Sequence, residues 1–132
     1  MGIERRAQPR LKLIKWSGKI LTEQKSIDGI TRNISANGAF IYYDRPHGED
    51  LPLRQQERVG LILEAPDRPS LYIFAEVVWS DILSSDERNT LLGAGFRFID
   101  ISSEDRQFLS NFVAKHSISK AIRMASKEEL ID

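Results

Sequence analysis

The chain has 132 residues, 19 basic and 19 acidic side chains, no cysteine and a hydrophobic fraction of 41%. That length suits a single domain with its own core, and the missing thiols exclude disulfide frameworks, thiolate metal sites and cysteine nucleophiles. Zero net charge argues against a nucleic-acid polymer as partner; with no apolar run long enough for a membrane span or a secretory signal, a cytoplasmic setting without membrane insertion is expected.

The first ten residues carry Arg5, Arg6 and Arg10 on this neutral background. Pro9 removes a backbone donor and turns Gln8 away from the helical region, so residues 1–10 are expected to form an extended arm. On such an arm Arg6 and Arg10 point the same way. It is short of apolar residues and is expected to be disordered until a ligand orders it. Leu11 to Ile20 mixes Leu11, Leu13 and Trp16 with Lys12, Lys15 and Lys19, as a half-buried strand does. Asp28-Gly29 reads as a turn, with a short strand from about Ile30 into Asn33. Asn33-Ile34-Ser35-Ala36-Asn37-Gly38 is a polar turn, and its match to a glycosylation acceptor has no consequence without export.

Gly38 opens the strand Ala39 to Tyr43, and Asp44 to Leu53, with two prolines, reads as a loop. Arg58 to Glu64 and Leu71 to Trp79 form the next strands, joined by the Pro-containing connection Ala65 to Ser70. The second of these is expected to place Leu71, Ile73, Ala75, Val77 and Trp79 on one face. Ser80 to Thr90 reads as a loop. Leu91 to Asp100 is the last strand, with Phe96 and Phe98 facing one way and Arg97 the other. The period then changes. Ser102 and Asp105 stand at capping-box spacing, and Phe108, Leu109, Phe112 and Val113 recur at helical spacing to plug an apolar barrel end. The sum is a mainly β protein: a six-stranded antiparallel barrel over residues 11–116, closed by a C-terminal helix. Residues 117–132 form a tail in which Ile118, Ala121, Ile122 and Ala125 fit a second helix, read either as a surface extension or as a docking element.

Two guanidinium groups on one side of an arm can fork onto phosphate oxygens, stack on a base, or donate two hydrogen bonds to the O6 and N7 edge of guanine. Asn33 adds an amide donor and acceptor, Ser35 a hydroxyl, and Gly38 a backbone that can turn sharply or approach a ligand closely. Arg6-x-x-x-Arg10 followed by Asn33-x-Ser35-x-x-Gly38 resembles the two ligand motifs of the PilZ family of cyclic di-GMP receptors. Gly38-Ala39-Phe40-Ile41, Ala75-Glu76-Val77-Val78-Trp79 and Gly93-Ala94-Gly95-Phe96-Arg97-Phe98 extend the likeness from about Ile3 to Lys115. Asn33 stands where the family often has Asp.

The resemblance implies a cyclic di-GMP receptor whose arm folds over a ligand on the barrel surface and which signals to a downstream protein. Arg6 and Arg10 would meet guanines and phosphates, and Asn33, Ser35 and Gly38 would hold the other side. Arg97 is a further candidate contact. Arg5 is either a grip on a second, stacked cyclic di-GMP or a solvated side chain. The alternative reading keeps the fold and makes the chain a protein–protein adaptor that does not bind the nucleotide. No enzyme, cofactor or metal is expected, because His47 and His116 are isolated and Ser35 lacks a base partner. The sequence leaves the oligomeric state open.

Overall fold

Apolar residues alternating with polar ones set six strands, and the computed structural model closes them into one antiparallel barrel. It describes residues 11–46 and 52–116, with side chains from Lys15 onward. The strands are β1 (Leu11–Leu21), β2 (Ser26–Ile34), β3 (Gly38–Pro46), β4 (Arg58–Glu64), β5 (Leu71–Ser85) and β6 (Asn89–Asp100). Their order around the barrel is β1-β2-β3-β6-β5-β4. A helix, α1, spans residues 103–116.

The period of two is plain in β4, where Val59, Leu61 and Leu63 point inward and Arg58 and Glu64 stay exposed. Together with Ile20, Ile34, Ile41, Leu71, Val77 and Leu92 they fill the interior. Each fully buried side chain of this size contributes roughly 1.5–3 kcal/mol of transfer free energy. Helix α1 closes one end by inserting Leu109 and Val113 into that core. Trp16 packs against Phe108 and Phe112, with ring centroids 6.3 and 4.9 Å away. The Ser102 hydroxyl caps the helix by accepting from the Asp105 amide at 3.0 Å. The Asp105 carboxylate is bound by Arg68, from the β4–β5 turn, at 2.8 Å, and the Arg68 guanidinium lies 4.4 Å from the Phe108 ring centroid.

Four details differ from the expectations. Asp28-Gly29 is not a turn: it lies within β2, where Lys19 pairs Asp28 and Gly18 pairs Gly29. The reversal comes earlier, where the Thr22 amide donates to the Lys25 carbonyl at 2.9 Å. Strand β3 runs on through Asp44 to Pro46 because β6 continues to pair with it as far as Asn89. Most of Ser80 to Thr90 is likewise hairpin, not loop, since Ser85 still pairs Thr90. Cross-strand pairing sustains these polar stretches where side-chain pattern alone suggests a loop. Finally, a register shift between Val77 and Trp79 turns Trp79 outward, away from the face of Leu71 to Val77, and leaves it 39% exposed. One extra residue in a strand is enough to reverse the face.

Candidate functional site

The connection from β2 to β3 is a turn whose polar groups answer one another. The Ser35 amide donates to the Gly38 carbonyl at 2.9 Å, and the Ser35 hydroxyl accepts from the Asn37 amide at 3.2 Å. Ser35 is therefore buried, at 3% exposure, and its hydroxyl is committed to the turn. Gly38 serves a close approach, but to the protein itself. A Cβ there would stand 2.6 Å from the Phe96 carbonyl oxygen, so β6 can draw up against the turn only with glycine at this position. The Phe98 amide then donates to the Asn37 carbonyl at 2.8 Å.

From this turn the pairing register lays out an outer face. Gly38 pairs Arg97, and Arg97 pairs Glu76, forming a first row. Asn33 pairs Phe40, Phe40 pairs Gly95 and Gly95 pairs Trp79, forming a second. Ile30, Tyr42 and Gly93 form a third. Directly paired residues share a side of the sheet, so the two glycines of β6 lie beneath aromatic walls. These close over Gly93, where a Cβ would stand 3.1 Å from the Phe40 ring and 3.4 Å from the Trp79 ring. Phe40 touches both walls, with its ring centroid 5.1 Å from Tyr42 and 4.8 Å from Trp79. The polar rim comprises Arg97, paired with the Glu76 carboxylate, Asn33, and Arg32, whose guanidinium lies 5.7 Å from the Tyr42 ring centroid. Among the described residues the Asn33 Oδ1 and the Arg32 Nε are buried without a hydrogen-bond partner. An unanswered acceptor and an unanswered cationic donor side by side suit a ligand that carries both N–H groups and anionic oxygens.

The structure thus brings Asn33, Ser35, Gly38 and Arg97 into one neighbourhood, Ser35 from inside the turn. Arg5, Arg6 and Arg10 lie outside the described residues, as does His47. The attachment of the arm is nevertheless fixed: Leu11, the residue after Arg10, pairs Ile34, and Lys12 pairs Asn33. Of the aromatic residues that could stack on bases, Trp16 and Tyr43 belong to the core; burial pushes the Tyr43 phenol above its ordinary value. Tyr42 and Trp79 remain on the outer face. Sequence reasoning missed Phe40 and the two glycines, which period-two alternation through Gly93-Ala94-Gly95 could have indicated. Arg32, the extra residue at the register shift between Thr31 and Asn33, carried no such signal. Among the described residues no group of His, Asp or Glu could hold a metal ion, and no helix is long and apolar enough to cross a membrane.

Comparison with known proteins agrees with this architecture. No curated protein matches the chain. The structure of the Bacillus subtilis inhibitor of motility, MotI/DgrA, superposes with a TM-score of 0.70 at 21% identity, covering 89% of this chain and 53% of that one. The PilZ domain with c-di-GMP of YcgR from Escherichia coli gives 0.66 at 12% identity, covering 93% of this chain and 98% of that one. The K. pneumonia MrkH–c-di-GMP complex gives 0.66 at 14% identity, with coverages of 92% and 56%. The chain therefore spans about half of the MotI and MrkH chains, and nearly all of the isolated YcgR domain. The family model for the PilZ domain matches residues 4–115, and the chain belongs to the PilZ family.

Proposed function

We propose that the chain is a receptor for cyclic di-GMP that orders its arginine arm on binding and so presents a changed surface to a downstream protein. The observation that carries this reading is the pairing of Leu11 with Ile34. Leu11 directly follows Arg10, so the chain enters the barrel beside the turn, which supports a reading in which Arg6 and Arg10 meet the ligand from one side and Asn33, Gly38 and Arg97 from the other. Cyclic di-GMP has two guanines and two phosphates, and the face offers aromatic walls for the first and arginines for the second. The Asn33 Oδ1 is an acceptor suited to a guanine N–H, and Ser35 acts by building the turn. Similar PilZ structures contain c-di-GMP, which supports the ligand class. A non-enzymatic, bacterial and cytoplasmic role goes with this reading.

The chain has two tryptophans, and Trp16 is buried against α1, so a fluorescence response to cyclic di-GMP is expected from Trp79. Saturating ligand should change the emission of wild type, and Trp79→Phe should lose most of that change. An undiminished response in Trp79→Phe would place the ligand elsewhere. Amide exchange should slow across the first ten residues on binding; unchanged exchange at saturation would remove the ordering step. Two ligands per chain in calorimetry, reduced to one in Arg5→Ala, would assign Arg5 to a stacked second nucleotide. One ligand per chain, unaffected by Arg5→Ala, would leave Arg5 outside the clamp.

A further inference from the structure

The β2–β3 turn answers several of its polar groups locally, but the Ala36 carbonyl and the Asn37 side chain are answered from outside it. Both are met by one residue of α1. The Arg106 guanidinium donates to the Ala36 carbonyl at 3.0 Å and, through the same nitrogen, to the Asn37 Oδ1. Its own backbone is fixed, because the Arg106 amide donates to the Ser102 carbonyl at 2.9 Å in the capped first turn of the helix. That turn is held in place by the Asp105–Arg68 ion pair and by Leu109 in the core. The crest of the turn therefore hangs from a rigid base roughly 70 residues away in sequence.

We infer that Arg106 is a positioning residue for the outer-face site, and that through it the closing helix senses occupancy; this rests on cyclic di-GMP being the ligand. Asn33 and Gly38 flank the segment Arg106 holds. A ligand that draws the turn toward itself must move the crest with it, and the crest is bonded to α1. Arg106 touches no ligand in this arrangement. It fixes the height of the turn before binding, which lowers the ordering cost at that moment, and it passes any displacement to the first turn of the helix. A charged donor on a partly buried carbonyl is one of the stronger protein hydrogen bonds, so its removal is expected to be measurable.

The test uses the full chain as wild type, Arg106→Ala, Arg106→Lys and Asn37→Ala. Without ligand, Arg106→Ala should speed amide exchange at Asn37 and Phe98 while the β4–β5 ladder keeps its protection. In calorimetry with cyclic di-GMP, affinity should fall about tenfold, because the two hydrogen bonds that set the turn before binding are lost and its ordering falls to the binding step. Arg106→Lys, which keeps one charged donor, should recover part of it. Ligand should also slow exchange in residues 103–108 of wild type, and this response should vanish in Arg106→Ala. If Arg106→Ala does not fold by circular dichroism, Asn37→Ala removes one of the two contacts from the exposed side and should lower the same readouts. Wild-type affinity in a folded Arg106→Ala, or a helix response that survives it, overturns the inference. No binding by wild type instead overturns the ligand reading, and the ligand-free exchange then decides alone whether Arg106 holds the turn.

Discussion

At the end of the barrel closed by α1, bonds run between parts of the chain far apart in sequence: Arg106 to Ala36, Phe98 to Asn37, Arg68 to Asp105. At the opposite end the β5–β6 hairpin is closed by near neighbours. The Arg88 and Asn89 amides both donate to Asp86 at 2.8 Å, and Ser85 meets Thr90 at 3.0 Å. Apolar Ile82 and Leu83 stand exposed there, while Leu109 and Val113 are fully enclosed at the helix end. The candidate site lies beside the end with the long-range ties. A turn whose shape is held by the rest of the fold before binding lowers the ordering cost that a ligand there has to meet.

Substitutions at the two ends should separate them. Leu109→Ala is expected to cost about 2–5 kcal/mol in chemical denaturation, because it leaves a cavity where helix meets barrel. Ile82→Ser at the far end should stay within about 0.5 kcal/mol. Equal losses would mean that the hairpin carries as much of the fold as the helix does. The next contrast is between two glycines of similar exposure. Gly38→Ala must displace the Phe96 backbone and should cost about 1–3 kcal/mol. At Gly60 a Cβ would meet only Leu21, at 3.6 and 3.7 Å, so Gly60→Ala should be neutral or stabilise by up to about 1 kcal/mol. The smallest effect concerns the cap. Ser102→Ala should lose about 1 kcal/mol, with faster exchange confined to the first turn of α1.

Much of this was legible from the sequence where one side of a strand is buried. Arg58 to Glu64 and the helix stripe of Phe108, Leu109, Phe112 and Val113 follow from period alone, because burial enforces the pattern. The same logic failed at Trp79, where a register shift reverses the face, and at Ser80 to Ser85, where β6 supplies pairing that polar side chains do not advertise. In the site, the motif residues were visible but their division of labour was not. Ser35 reads as a ligand contact, and the fold adds that its hydroxyl accepts from the Asn37 amide within the turn. Gly38 reads as a close approach to a ligand, and the fold adds a close approach to Phe96, whose carbonyl oxygen a Cβ would meet at 2.6 Å. Arg106 lies in the helix, and nothing in its local sequence announces a partner at Ala36. Such long-range contacts emerge only once the barrel is closed.

The central claim is that an outer face built for a guanine-bearing cyclic dinucleotide is completed by the arm rooted at Leu11. Calorimetric titration of the full chain with cyclic di-GMP, run alongside Arg10→Ala, tests it most directly. Wild type should bind, and Arg10→Ala should lose about 1–3 kcal/mol of that affinity, the worth of a bidentate arginine contact. No heat from wild type, or binding that Arg10→Ala leaves unchanged, would contradict the account; silence from wild type would put the nucleotide-independent adaptor in its place.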